Sequence, residues 1–111
     1  MPALGNPSAR RQATLDREMQ ERSVTAASKR GALQSLTERE LDLKNVPLTV
    51  YPYALQRRVK AWVRFGAESI RVDAKVVRST PSAAGIEFRG LDGQMFRCWV
   101  WGNAIQMTEG A

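Results

Sequence analysis

The sequence contains no histidine and a single cysteine, Cys98. Without an imidazole there is no general base for Ser-His-Asp or Cys-His catalysis. Zinc sites draw on clustered Cys and His, which are missing here, and one thiol cannot close an internal disulfide. No apolar run approaches the roughly 20 residues of a membrane-spanning helix. Met1–Asn6 lacks the charged start and apolar stretch of a secretory signal. Pro2 stands where myristoylation needs Gly, and Cys98 is too far from the end for prenylation. No Gly-rich phosphate loop joins a strand to a helix, and the carboxylates are scattered. These gaps point away from an enzyme, a cofactor, a metal and a membrane. They leave a non-catalytic binding or adaptor module, with a cytoplasmic location as the default.

What is present is a 111-residue chain, long enough for one domain, with 43% hydrophobic and 25% charged residues. Lys and Arg number 17 against 11 Asp and Glu, a net charge of +6 that raises encounter rates with polyanions. Composition shifts near Val46-Pro47. All Trp, Tyr and Phe follow it, so that half can build a core. The division expected is a flexible tail at 1–10, a helical arm at 11–45 and a small β-barrel at 46–111.

The arm is rich in helix formers from Arg11 to Arg30, with Gly31 as its stop. Its apolar stripe is thin: Leu15, Met19, Ala26, Leu33 and Leu36. Thr37 and Glu40 form a capping box for a second short helix, with Leu36 and Leu41 spaced as a hydrophobic staple and Val46-Pro47 as its stop.

After that the period changes to two. Ala61, Val63 and Phe65 alternate with Lys60, Trp62 and Arg64. Ile70, Val72, Ala74 and Val76 alternate with Arg71, Asp73 and Lys75. Ala84, Ile86 and Phe88 oppose Glu87 and Arg89, and Phe96, Cys98 and Val100 oppose Met95, Arg97, Trp99 and Trp101. Such alternation is the mark of half-buried antiparallel strands. Asp92-Gly93 marks a hairpin, Gly102–Ile105 suits one 3₁₀ turn, Gln106–Glu109 a last strand, and Leu48–Tyr53 a further strand or strap. The expected fold is therefore α+β: an N-terminal helical segment followed by a small antiparallel Src-homology-3-like β-barrel.

Ala61-Trp62-Val63-Arg64-Phe65, Val72-Asp73-Ala74, Thr80-Pro81 and Cys98-Trp99-Val100-Trp101 resemble a pattern in small proteins of actinobacteria and their phages. The resemblance covers roughly Tyr51 to Ile105 and implies no catalytic motif; it suggests a source in a phage or mobile element. Thr80–Gly85 followed by Ile86-Glu87-Phe88 also resembles the second signature of PilZ domains, which bind a cyclic dinucleotide. That family has Asp or Asn where Thr80 stands. Its paired-Arg motif fails after Arg57 or Arg58, where Ala61 or Trp62 replaces the second Arg. Cyclic-dinucleotide binding is disfavoured on those departures.

The alternation puts Trp62, Trp99 and Trp101 outward among Arg64 and Arg97, with the Arg57-Arg58 doublet nearby in sequence. Outward Trp among Arg suits base stacking with phosphate contact. It equally suits a protein interface, or burial under the N-terminal helix. Nucleic acid is the first expected partner, bound through Trp62, Arg64, Arg97, Trp99, Trp101, Arg57 and Arg58. The alternative is a protein partner docked through the helix, as in a phage structural component, assembly factor or host-directed effector; a structural component would reside in the virion.

Overall fold

A computed structural model of the chain describes residues 7–107. A long helix precedes a six-stranded antiparallel sheet, the α+β class expected. Helix α1 (Pro7–Arg30) opens on a proline, whose missing N–H is one that a first turn leaves unpaired anyway. The chain is thus helical from residue 7, four residues earlier than expected; the remainder of the expected tail, residues 1–6, lies outside the described residues. No helix among the described residues is long and apolar enough to cross a membrane.

The stripe by which α1 docks differs from the one expected. Leu15 and Met19 are exposed, whereas Val24 and Ala27 are fully buried. With Gln20 before them and Gly31 after, the docking positions follow a 4-3-4 spacing of short or polar residues. Small side chains win here because the helix sits close to backbone. The Gln20 amide brackets Asp73, donating to its carbonyl at 2.9 Å and accepting from its N–H at 2.8 Å. Thr25 Oγ1 accepts from the Leu91 N–H at 2.8 Å, and Arg30 grips Glu68 with two bonds of 2.9 Å.

Helix α2 (Glu38–Leu41) has the expected capping box, with Leu41 buried. It ends sooner than Pro47 requires. Asp42 takes a left-handed conformation (φ 55°) and its N–H bonds back to the Glu38 carbonyl at 3.0 Å, a C-cap that Asp tolerates better than most residues.

The strands are β1 (Thr49–Val50), β2 (Arg58–Phe65), β3 (Glu68–Ser79), β4 (Ala83–Arg89), β5 (Met95–Trp101) and β6 (Ile105–Met107). β2 to β5 pair as successive antiparallel neighbours, β6 returns beside β2, and β1 pairs with the end of β3. The turns are chemically specified. Asp92 and Gly93 both have positive φ (57° and 75°), the central positions of a turn closed by the Gln94 N–H on the Leu91 carbonyl at 3.0 Å. Thr80 is buried, and its hydroxyl accepts from the Ala83 N–H at 3.1 Å, stapling the turn at Pro81. The 3₁₀ turn Gly102–Ala104 leads into β6 as expected; the expected continuation of that strand past Met107 lies outside the described residues.

β2 alternates exposed and buried over its whole length, placing Val59, Ala61, Val63 and Phe65 inward. Val72, Ala74, Ala84, Ile86, Phe88 and Cys98 join them, with Val24 and Ala27 of α1 in the same core. Phe65 meets Phe88 and Phe96 edge-on at 6.3 and 5.7 Å between centroids. Most of the core thus comes from the period-two half, as expected, and α1 closes one side of it.

Burial raises the Cys98 thiol from its ordinary value of 9.0 to about 11. The folded state therefore keeps a proton that the unfolded chain releases above pH 9.0, so the benefit of a neutral buried thiol is complete below pH 9.0 and lost as pH rises through about 11. Denaturant midpoints at about pH 8 and about pH 10.5 should show this fall, and Cys98→Ala should make it shallower. An unchanged slope in the variant would place the thiol outside the core.

The closed barrel expected from strand count is corrected by the ladder. Pairing runs β5-β4-β3-β2-β6 and stops, leaving the sheet open between β5 and the β2–β6 side. The segment between the two helices occupies that gap. Leu33 bridges Phe65, the Gln34 N–H donates to the Arg64 carbonyl at 2.8 Å, and the Leu36 N–H donates to the Trp99 carbonyl at 3.0 Å. This strap satisfies backbone groups on both strands, which an unpaired edge would leave bare.

Candidate nucleic-acid interface

The strap explains why residues from distant strands share a site. β2 and β5 are not neighbours in the sheet, yet both bond to residues 33–36. Between them opens a groove of about 530 Å³, lined by Trp62 and Arg64 of β2, Trp99 and Trp101 of β5, and Gln34 to Leu36 of the strap. Four of the seven residues singled out in the sequence therefore meet there.

Each is held differently. Trp62 projects from the outward set of β2 and is 53% exposed, opposite Arg71 across the β2–β3 ladder. Trp101 ends β5 and is 40% exposed. Trp99 is half-buried, and its N–H donates to Ser35 Oγ at 2.9 Å. Arg64 is exposed and makes no ion pair among the described residues. Among the described residues the one carboxylate lining the groove is Glu40, which accepts from the Thr37 N–H at 3.0 Å in the capping box.

The other three residues fall elsewhere. Arg97 is on the same outward set as Trp99 but pairs with Glu87 at 2.8 Å and does not line the groove. Arg57 precedes β2, its carbonyl accepting from the Val76 N–H at 2.9 Å; Arg58 faces Lys75 across the ladder. Neither reaches the groove lining. What sequence reasoning missed is the strap: Gln34 and Ser35 carry no motif, and Leu36 reads only as part of a helical stripe and a staple with Leu41. Only the capping box just after them hints that the segment has a fixed place.

Nor does α1 cover this face. Its buried residues Val24 and Ala27 belong to the core, and Trp62 and Trp101 stay exposed. Among the described residues no three Cys, Asp or Glu side chains gather as a metal site would need. Chemically, the groove offers aromatic faces, one unpaired guanidinium and amide and hydroxyl groups: stacking and anion contact. No protein-family model matches the chain, and neither a curated protein nor a solved structure matches it.

Proposed function

We propose that this protein is a non-catalytic nucleic-acid-binding module whose interface is the Trp62–Arg64–Trp99–Trp101 groove. The observation that carries the reading is the convergence of three indoles and an unpaired Arg on one open groove of a chain with net charge +6. Aromatic faces at a sheet surface stack bases, and nearby cations meet phosphates. Architecturally we propose kinship with Src-homology-3-like small barrels, supported by the four-strand meander, the 3₁₀ turn and the return of β6 beside β2.

Binding of a labelled oligonucleotide should weaken steeply between about 50 and 200 mM salt as phosphate counterions compete. Trp101→Ala should cost about 1–3 kcal/mol of binding, the usual loss for a stacking aromatic. Because Trp101 is 40% exposed, stability should change by much less. Absent affinity, or affinity indifferent to salt and to Trp101, overturns the proposal.

A second reading, a protein partner docked on α1, has its own observation. Residues 8–19 of the helix are all exposed, Leu15 and Met19 included. Binding through Leu15 and Met19 on that face would survive Trp101→Ala.

A further inference from the structure

Trp99 has no side chain beneath it on the neighbouring strand. Its cross-strand partner is Gly85, where a Cβ would stand 3.4 Å from Trp99 Cε2 and Cζ2 and from Arg78 Cβ. The indole therefore rests across β4 directly on backbone. From the far side, the Arg78 guanidinium of β3 lies 5.6 Å from its ring.

This pair joins two recesses. Trp99 lines the groove described above, and Arg78 lines a second hollow of about 380 Å³ with Tyr51, Gln56 and Arg97 among its walls. Arg78 makes no ion pair among the described residues, and Glu87, the one carboxylate of that hollow, is taken by Arg97. A positive charge on an aromatic ring, with a recess on either side, is an arrangement for a base, a phosphate and a further base.

We infer, building on the nucleic-acid reading, that the ligand is a single strand. It passes from the Trp62–Trp101 groove over Trp99 into the hollow at Tyr51, with Arg78 holding the phosphate between. A duplex hides its base faces in its own stack and shows only edges, whereas splayed bases lay their faces on aromatic rings. Gly85 is a positioning residue: a bare Cβ there would just touch the ring at 3.4 Å, and the branched methyls of a larger side chain would take the space in which the ring lies.

The test uses the full chain at about 50 mM salt, where phosphate contacts are strong. The probes are a labelled single-stranded DNA of about 12 nucleotides, the same sequence as RNA, and the DNA duplex, a length that spans the few nucleotides of one small module. Gly85→Val lifts the ring without changing charge, and Trp99→Leu removes it. Arg78→Gln removes the proposed phosphate contact. Arg89→Gln removes an exposed charge that lines neither recess. Thermal melts confirm that each variant is folded; should Gly85→Val fail to fold, Trp99→Leu carries that arm.

At least one of the two single strands should bind tenfold or more tighter than the duplex, roughly the worth of one stacked base. The better-bound sugar identifies the natural strand. Gly85→Val, Trp99→Leu and Arg78→Gln should each weaken that strand about tenfold, and Arg89→Gln by less than about threefold. Equal binding of duplex and single strands overturns the inference and leaves the nucleic-acid reading standing. So does Arg78→Gln behaving like Arg89→Gln. Binding to none of the probes overturns both.

Discussion

Gly31→Ala is expected to lower stability by about 3 kcal/mol, a fall of roughly 15 °C in the thermal midpoint. A Cβ at Gly31 would stand 2.8 Å from both the Cα and the N of Gly66. These are backbone atoms in a hairpin turn, so they cannot swing aside as a side-chain tip would. The contact also sits where α1 ends and the strap begins, and the Gly66 N–H bonds the Ala32 carbonyl at 2.8 Å. Separating the two glycines pulls on that bond and on the adjoining Leu33–Phe65 bridge.

Gly66→Ala adds a second cost, because Gly66 has a φ of +58° that disfavours any Cβ by about 1–2 kcal/mol. The double variant should lose less than the sum of the two. Once the first methyl has parted the backbones, the second pays only for conformation. Gly93→Ala is the comparison: φ is +75° there, but nothing lies within 4 Å of the new methyl, and about 1 kcal/mol covers it. If Gly31→Ala melts like the parent, α1 does not approach the hairpin as described.

Deleting residues 1–36 is expected to abolish cooperative unfolding. The deletion removes Val24 and Ala27, both 0% exposed, together with Leu33 packed beside them. Burying even one Val-sized side chain contributes about 1.5–3 kcal/mol, against a total of about 5–15 kcal/mol for a domain. The backbone loss compounds it. The Arg64 carbonyl, the Trp99 carbonyl and the Trp99 N–H all lose strap partners at once. The remaining chain should keep strand signal in the far ultraviolet, lose near-ultraviolet signal and bind an apolar dye, the behaviour of a compact state without fixed packing. A sharp transition within a few degrees of the full chain would show that the sheet holds its core unaided.

Both predictions concern contacts between residues remote in sequence, and that is the line along which legibility divides. Local chemistry wrote the strands, the Asp92-Gly93 turn and the Thr37–Glu40 capping box, because each depends on neighbours within a few residues. The period of two in β2 through β5 also set which side chains face inward, including Cys98 and the outward position of Trp62, Trp99 and Trp101.

The docking face of α1 was decided elsewhere. Leu15 and Met19 outrank Val24 and Ala27 in apolar surface, yet the helix turns the smaller pair inward, because the backbone at Gly66 and the bare stretch of β3 at Asp73 accept only a close, partly polar approach. Closure was likewise decided by tertiary structure. Strand count suggested a barrel, but pairing between strands depends on how far the sheet coils, and here a strap with no strand pattern in its sequence occupies the opening between β2 and β5. That same strap brings Trp62 and Arg64 to Trp99 and Trp101 while leaving Arg57, Arg58 and Arg97 outside. The sequence by itself determined which side chains point outward along β2 and β5, since alternation is a property of the strand; in β3 a register shift between Val76 and Arg78 interrupts it. Only the tertiary structure decided which of them meet, since that depends on the path of a segment bonded to two strands that are not neighbours in the sheet.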